Sequence, residues 1–298
     1  MELRNIKSFI KVAEFENFSK AAEALGYAQS TITTQIQQLE EELGVPLFDR
    51  IGKRVVLSEK GRTFLEHANQ MLKIETEAIE AVSENDIPSG ILPIGTLESI
   101  ASSFLAELLA VYIEKYPKVQ IVITVGVTLE LYDFLEKGLL DVVFLFDRSV
   151  YRPALKTVYS KSSSAPFIAP ANHPLAHAEN IPPERLLEER VLLTEKRNNY
   201  RQAFDELALG KGLHLEGIQE IASSICILQF VEKGLGISLL PDYALHAALQ
   251  EKKISLFTVE GFDIRMDLQV LYHRQKFVSL AMKRFTETVE DYLSSLET

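Results

Sequence analysis

"YAQSTITTQIQQLEEELG" (residues 27–44) crowds Ser30, Thr31, Thr33 and Thr34 into the opening of a helical pattern, then stacks Glu40, Glu41 and Glu42 behind them. On a helical wheel Ile32, Ile36, Leu39 and Leu43 recur at spacings of 4, 3 and 4, an apolar stripe that Gly44 ends. Opposite lie Ser30, Thr34, Gln37 and Glu41, flanked by Thr31, Thr33 and Gln38. The free face is thus short and hydrogen-bonding in its first two turns, and acidic afterwards. Upstream, "SKAAEALG" (19–26) reads as a short helix with Ser19 as N-cap and Ala21, Ala22 and Leu25 inward. Ile6, Phe9, Ile10 and Ala13 mark a helix before it. Helix, short helix, glycine-containing turn, helix is the helix-turn-helix layout, whose second helix enters the DNA major groove by its N-terminal residues. Short hydroxyls and amides there reach base edges and phosphates without bulk, and the helix dipole favours the phosphates.

The next stretch, "VPLFDRIGKRVVLSEKG" (45–61), reads as two extended pieces around a turn at Ile51-Gly52, with Arg50, Lys53 and Arg54 clustered there. A basic wing beside a recognition helix supplies phosphate anchors. "FSKAAEALGYAQSTITTQIQQLEEELGVPLFDRIGKRVVLSEKG" (18–61) resembles the winged helix-turn-helix of LysR-type transcriptional regulators. The resemblance puts Gln29, Thr33, Gln35 and Arg50 on positions the family uses around DNA. With the wheel and the wing, the candidate DNA-binding set is Ser19, Gln29, Ser30, Thr31, Thr33, Thr34, Gln37, Arg50, Lys53 and Arg54. Two departures, Ser30 where the family often has Pro and Thr34 where it often has Arg, mean that no operator sequence carries over. The likeness spans the whole chain, by motif in the first third and by layout beyond it.

From Ser58 the chain runs without proline to about residue 85, with Phe64, Ala68, Leu72, Glu75, Ile79 and Val82 in heptad-like steps. Phe64, Ala68, Leu72, Ile79 and Val82 form the candidate dimer helix, because a second copy of the same stripe would cover it and give two helix-turn-helix units for paired half-sites. "DIPSGILP" (86–93) then reads as a hinge. The expected domains are 1–58 (winged helix-turn-helix), 59–88 (linker helix and hinge) and 89–298.

Within 89–298, "ILPIGTL", "VQIVITVG", "LDVVFLF" and "ISLLP" are short apolar runs alternating with helical stretches, which predicts an α/β unit with a largely parallel sheet. "FLEKGLLDVVFL" (134–145) is echoed by "FVEKGLGISLLP" (230–241), one helix-to-strand unit for each of two lobes. The expected fold class is therefore α/β overall: an all-α winged helix-turn-helix with a long linker helix, then two α/β lobes of the periplasmic-binding-protein type that the family's effector domain resembles. Ligands in such sheets lie beyond strand ends, against helix N-termini. Hydroxyls recur at those junctions, giving the candidate effector-binding set Thr96, Ser99, Ile100, Thr128, Thr194, Tyr200, Arg201, Ser223 and Ser224. Arg201 has a competing role as an ion-pair partner of Asp205, four residues on. The family's effectors are typically small metabolites, many of them anionic, which points to a carboxylate or other small anion. Closure of the lobes around it would change the spacing of two helix-turn-helix units in the dimer.

The net charge of −11 argues against a nucleic-acid partner only until its distribution is read. Residues 1–60 hold 8 Lys/Arg against 9 Asp/Glu and are nearly neutral. The six histidines are scattered, and Pro174 interrupts the one pair at helical spacing, His173 and His177. One cysteine, Cys226, sits among apolar neighbours and is expected to be buried and inert. No catalytic constellation, P-loop or G-x-G-x-x-G is present, so neither an enzyme nor a metal or other cofactor is expected. Charges scattered through the first turns and the absence of a long apolar run favour a cytoplasmic protein with no membrane partner. The expected partners are double-stranded DNA, a small-molecule effector and further copies of the chain, as a homodimer assembling to a homotetramer. The competing reading is a soluble small-molecule receptor with no enzymatic activity.

Overall fold

The computed structural model describes residues 1–51, 54–82, 87–148 and 152–295, with side chains throughout except at positions 50, 51, 54, 77, 80 and 81. The chain divides into two units, Met1–Asp86 and Ile87–Thr298. In the first, α1 (Leu3–Phe15), α2 (Phe18–Leu25) and α3 (Gln29–Leu43) precede a hairpin of β1 (Phe48–Ile51) and β2 (Arg54–Leu57), and α4 (Glu59–Val82) follows. Ile6, Phe9, Val12, Ala21, Ala22, Ile32, Ile36 and Leu39 close one apolar core. The Phe9 ring lies 5.2 Å from Phe64 and 5.3 Å from Phe48, which ties the helices to the wing and to α4.

Two side chains, Ser19 and Gln35, depart from the sequence reading, and a third, Glu40, takes a role that reading did not assign. Ser19 is not the cap of α2; Asn17 is, accepting hydrogen bonds from the backbone N–H of Ser19 (2.9 Å) and Lys20 (3.0 Å). Gln35 is buried, and its Oε1 accepts from Ser8 Oγ at 2.5 Å. Its wheel position, three after Ile32 and four before Leu39, turns it to the core, so it is no base-reading residue. Glu40 turns back to accept from the backbone N–H of Leu47 (2.6 Å) and Phe48 (3.2 Å), fixing where the wing begins.

The stripe on α4 also divides. Ala68 is fully buried and Phe64 and Leu72 pack with it on the core of their own unit, helped by a Lys7–Glu75 ion pair at 2.9 Å. Ala68 needs no second copy, while Phe64 and Leu72 keep part of their surface uncovered. Farther along, Ile74, Ile79 and Val82 are 62%, 60% and 84% exposed.

The second unit holds two five-stranded sheets with one apolar core running through both lobes. The first lobe contains β3 (Gly90–Thr96), α5 (Glu98–Ala101), α6 (Leu105–Lys115), β4 (Val119–Val125), α7 (Thr128–Glu136), β5 (Val142–Asp147) and β6 (Leu155–Ser164). The chain then crosses to β7 (Phe167–Pro170), β8 (Val191–Leu193), α8 (Asn199–Gly210), β9 (Gln219–Glu220), α9 (Ser224–Glu232), β10 (Ile237–Leu239), α10 (His246–Gln250) and β11 (Ile254–Phe257). It returns through β12 (Arg265–His273) and α11 (Leu280–Ser295). Strand orders are β4-β3-β5-β12-β6 and β11-β7-β10-β8-β9. In each, the strand reached by crossing, β12 or β7, is antiparallel to its neighbours and the rest run parallel. The crossings meet where Ala165 N–H donates to the Ile264 carbonyl at 2.9 Å. Among the described residues, no helix is long and apolar enough to cross a membrane.

The echoed phrases occupy equivalent places. Gly138 (φ 71°) ends the turn after α7, and Gly234 (φ 76°) the turn after α9. Leu139 N–H returns to the Phe134 carbonyl at 2.9 Å, and Leu235 N–H to that of Phe230 at 3.0 Å. A Cβ at either glycine would meet open space, so only the left-handed backbone opposes one. Gly138→Ala and Gly234→Ala should therefore each cost about 1 kcal/mol, and similar amounts, by chemical denaturation. Unequal losses would show that the two turns are not equivalent.

Candidate functional site

Two surfaces gather the candidate residues, one in each unit. In the first, Ser19, Gln29, Ser30, Thr34 and Gln37 are exposed and Thr31 and Thr33 half-buried, so α3 presents a polar N-terminal face opposite its core stripe. Ser19 Oγ donates to Gln29 Oε1 at 3.0 Å, which links the start of α2 to the start of α3. Thr33 and Thr34 hydroxyls donate to the carbonyls of Gln29 and Ser30, each at 3.0 Å, leaving oxygen lone pairs outward to accept. Ala28 precedes α3 without a side-chain cap, so the first N–H groups of the helix remain free for an anion. The wing pairs Ile51 with Arg54 in an antiparallel register, placing Arg50 and Arg54 in the strands beside the turn. Lys53 lies outside the described residues, as do the side chains of Arg50 and Arg54.

In the second unit, the strands β3, β4, β8 and β9 point their carboxyl ends at the interlobe cleft, and α5, α7, α8 and α9 begin there. A cavity of about 280 Å³ is lined by Ser99, Thr128, Thr194 and Tyr200 from the expected set. Thr96 and Ile100 are fully buried beside it in the core of the first lobe, and Thr96 Oγ1 donates to its neighbour's carbonyl at 3.2 Å. Arg201 is turned away: Nε donates to Asp205 Oδ1 at 2.8 Å and a terminal nitrogen to the Thr194 carbonyl at 2.8 Å. It anchors α8, and the ion pair four residues apart is its role.

Ser223 and Ser224 sit at the mouth of α9, where Ser223 Oγ accepts from Cys226 N–H at 3.3 Å. Cys226 itself is half-buried rather than enclosed. Sequence reasoning missed four participants: Glu98, Arg197, Asn199 and Tyr243. Asn199 Nδ2 donates to Thr128 Oγ1 at 3.0 Å and to the Phe146 carbonyl at 3.3 Å, bridging the lobes. Ser99 Oγ and Tyr243 OH bridge them again at 3.0 Å. Burial pushes the hydroxyls of Tyr200 and Tyr243 well above the usual phenol range, so both stay protonated. Tyr132, nearer Asp147, is pushed up to about 12, chiefly by burial.

What the cleft can hold follows from its unsatisfied groups. Thr194 is 2% exposed and its Oγ1 lacks a hydrogen bond of acceptable geometry, although Tyr200 is near enough to feel it. The caps of α7 and α8, Val127 and Asn198, make no side-chain cap bond. Two helix starts without a side-chain cap and the buried Thr194 line the same cavity, an arrangement suited to an oxyanion. Arg197 is the cation among the lining residues, and it is exposed, as are Glu130 and Glu195. Among the described residues, no group of three or more His, Cys, Asp or Glu side chains could hold a metal ion.

Comparison with known proteins assigns a family to each unit. Residues 3–62 match the family described as bacterial regulatory helix-turn-helix protein, lysR family, and residues 85–294 match the LysR substrate binding domain. The HTH-type transcriptional regulator YwqM of Bacillus subtilis is 31% identical over 288 residues, 96% of this chain and 98% of its own. YusT of the same organism, also an HTH-type transcriptional regulator, is 32% identical over 99% of this chain and 100% of its own. Among solved structures, a full-length OxyR variant from Pseudomonas aeruginosa shares the fold with a TM-score of 0.71 at 20% identity, covering 97% of this chain and 95% of that one. Full-length CbnR, solved with its target DNA, has a TM-score of 0.67 at 23% identity over 98% and 99% of the two chains.

Proposed function

The chain belongs to the LysR family of DNA-binding transcriptional regulators with an effector-binding domain, and we propose that a small carboxylate in its interlobe cleft controls binding by α3 and the wing. The observation that carries the effector class is that two helix starts without a side-chain cap, those of α7 and α8, open on one cavity lined also by Thr194 and Arg197. A carboxylate there would accept from backbone N–H groups, from Thr194 and from Arg197, while Thr128 and Ser99 shape the floor. The N-terminal unit favours a regulator over a free solute receptor. Such a protein works in the cytoplasm, where its operator is.

The polar face of α3 carries base reading, through Gln29, Ser30, Thr33, Thr34 and Gln37, with Ser19 and Thr31 beside it. Arg50, Lys53 and Arg54 carry phosphate contacts. The chain self-associates through two surfaces. One is the exposed end of α4 at Ile74, Ile79 and Val82. The other is the edge strand β4, where Val122, Ile123 and Val125 are 42%, 44% and 52% exposed. Two self-complementary surfaces on one chain take a dimer to a tetramer. Domain limits at 1–58, 59–88 and 89–298 fit this division of labour.

Three outcomes are expected. Replacing Lys53 and Arg54 by Ala should weaken binding on every DNA sequence and flatten the salt dependence by about 1–2 units, at roughly 0.9 per lost phosphate contact, whereas Thr33→Ala should change sequence preference instead. An unchanged salt slope would remove the wing from the interface. By sedimentation, Ile79→Asp and Ile123→Asp should each abolish one step of assembly and together leave monomers; full assembly in the double variant would place both contacts elsewhere. Thr194→Val should leave the ligand-free protein as stable or more stable, since it removes an unpaired buried hydroxyl, yet weaken carboxylate binding about tenfold. Equal affinity in a calorimetric titration would put the ligand in another part of the cleft.

A further inference from the structure

We propose that Glu98 fills an anion seat at the start of α9 with the chain's own carboxylate, and thereby restricts the cleft to ligands bearing a single carboxylate. Glu98 opens α5 in the first lobe. Its Oε1 accepts from Ser223 Oγ at 2.9 Å, and its Oε2 accepts from Ser224 N–H at 3.0 Å and Ser224 Oγ at 2.5 Å. Those donors belong to the second lobe, 125 and 126 residues away in sequence. A carboxylate held by two hydroxyls and a backbone N–H at the head of a nine-residue helix is how a bound organic acid would be held. Here the protein supplies the acid itself.

Glu98 also lines the cavity, with Ser99, Thr194 and Ala222, the residue before Ser223. Thr194 belongs to the same corner. It follows β8 as Ile221 follows β9, and Ile221 N–H donates to the Leu193 carbonyl at 2.9 Å. Its side chain is buried on the cavity wall beside the filled seat. One carboxylate of a ligand sits there, at the starts of α7 and α8, and this second seat rests on the effector reading above. A second ligand carboxylate would find Glu98, Glu130 and Glu195 against the single guanidinium of Arg197. It enters only by evicting Glu98 from α9. Glu98 is thus a specificity residue that acts by occupying a place the ligand would otherwise take.

The test uses the full-length protein, with acetate, propionate and succinate as probes, titrated calorimetrically at constant ionic strength. Glu98→Ala should bind one acetate per chain more than the parent does, and adding Ser224→Ala should abolish that extra site. Its preference for succinate over propionate should rise about tenfold over the parent's, the worth of a charge-assisted seat made available. Glu98→Gln keeps the bulk and one acceptor oxygen, and should show a weaker form of the same gain if the Ala variant folds poorly. No gain of acetate binding in either variant, or a gain that survives loss of Ser224, overturns the seat. An acetate gain with an unchanged succinate preference overturns the selectivity. The neighbouring seat is judged separately: if Thr194→Val leaves propionate binding untouched, that placement fails while the Ser224-dependent gain still decides the role of Glu98.

Discussion

Helices that begin at a buried cleft bring N–H groups with no partner of their own, and something must satisfy them. That constraint organises the second unit. Four short connections deliver α5, α7, α8 and α9 to one cavity between the lobes, because each follows a parallel strand whose carboxyl end points there. Ser223 and Glu98 satisfy α9, while the starts of α7 and α8 have no side-chain cap. A cleft so built is positive in its backbone although the chain is acidic overall, with a net charge of −11, which supports the anionic effector proposed above. The bridges Ser99–Tyr243, Asn199–Thr128 and Glu98–Ser224 cross the same gap. In the proposed reading, ligand affinity and lobe closure would draw on one set of hydrogen bonds.

In the first unit the dividing principle is the two-sidedness of α3. Its stripe of Ile32, Ile36 and Leu39 is committed to the core, and Gln35 joins that side by pairing with Ser8. The opposite side keeps short hydroxyls and amides whose backbone bonds leave acceptor positions outward. The glutamates behind them are not idle, since Glu40 holds the first residues of the wing. Recognition helix and wing are thus locked together by a residue that a charge reading assigns merely to the far end of the helix.

Period and punctuation made most of this legible. The 3.6-residue stripe located α1, α3 and α4, the glycines located the turns, and the repeated F-x-E-K-G-L phrase located equivalent units in two lobes. What depended on contacts distant in sequence was hidden. The cap of α2 fell to Asn17 because the helix starts at Phe18, three residues before the apolar pattern begins at Ala21. The spacing of Arg201 and Asp205 made their ion pair legible, and only the fold reveals the Thr194 carbonyl that Arg201 also reaches. Glu98 carried no signal, because Ser223 and Ser224 meet it only when the lobes come together. Heptad spacing on α4 was readable, but not that its first half serves its own core.

The central claim is that a carboxylate in the cleft changes how the chain holds DNA. Hydroxyl-radical footprinting of an operator selected from random DNA, with and without a saturating monocarboxylate that binds the parent protein, tests it directly. The account predicts protected half-sites about one helical turn apart, with the protected segment altered in extent or spacing when the ligand is present. An identical footprint with ligand demonstrably bound would contradict it.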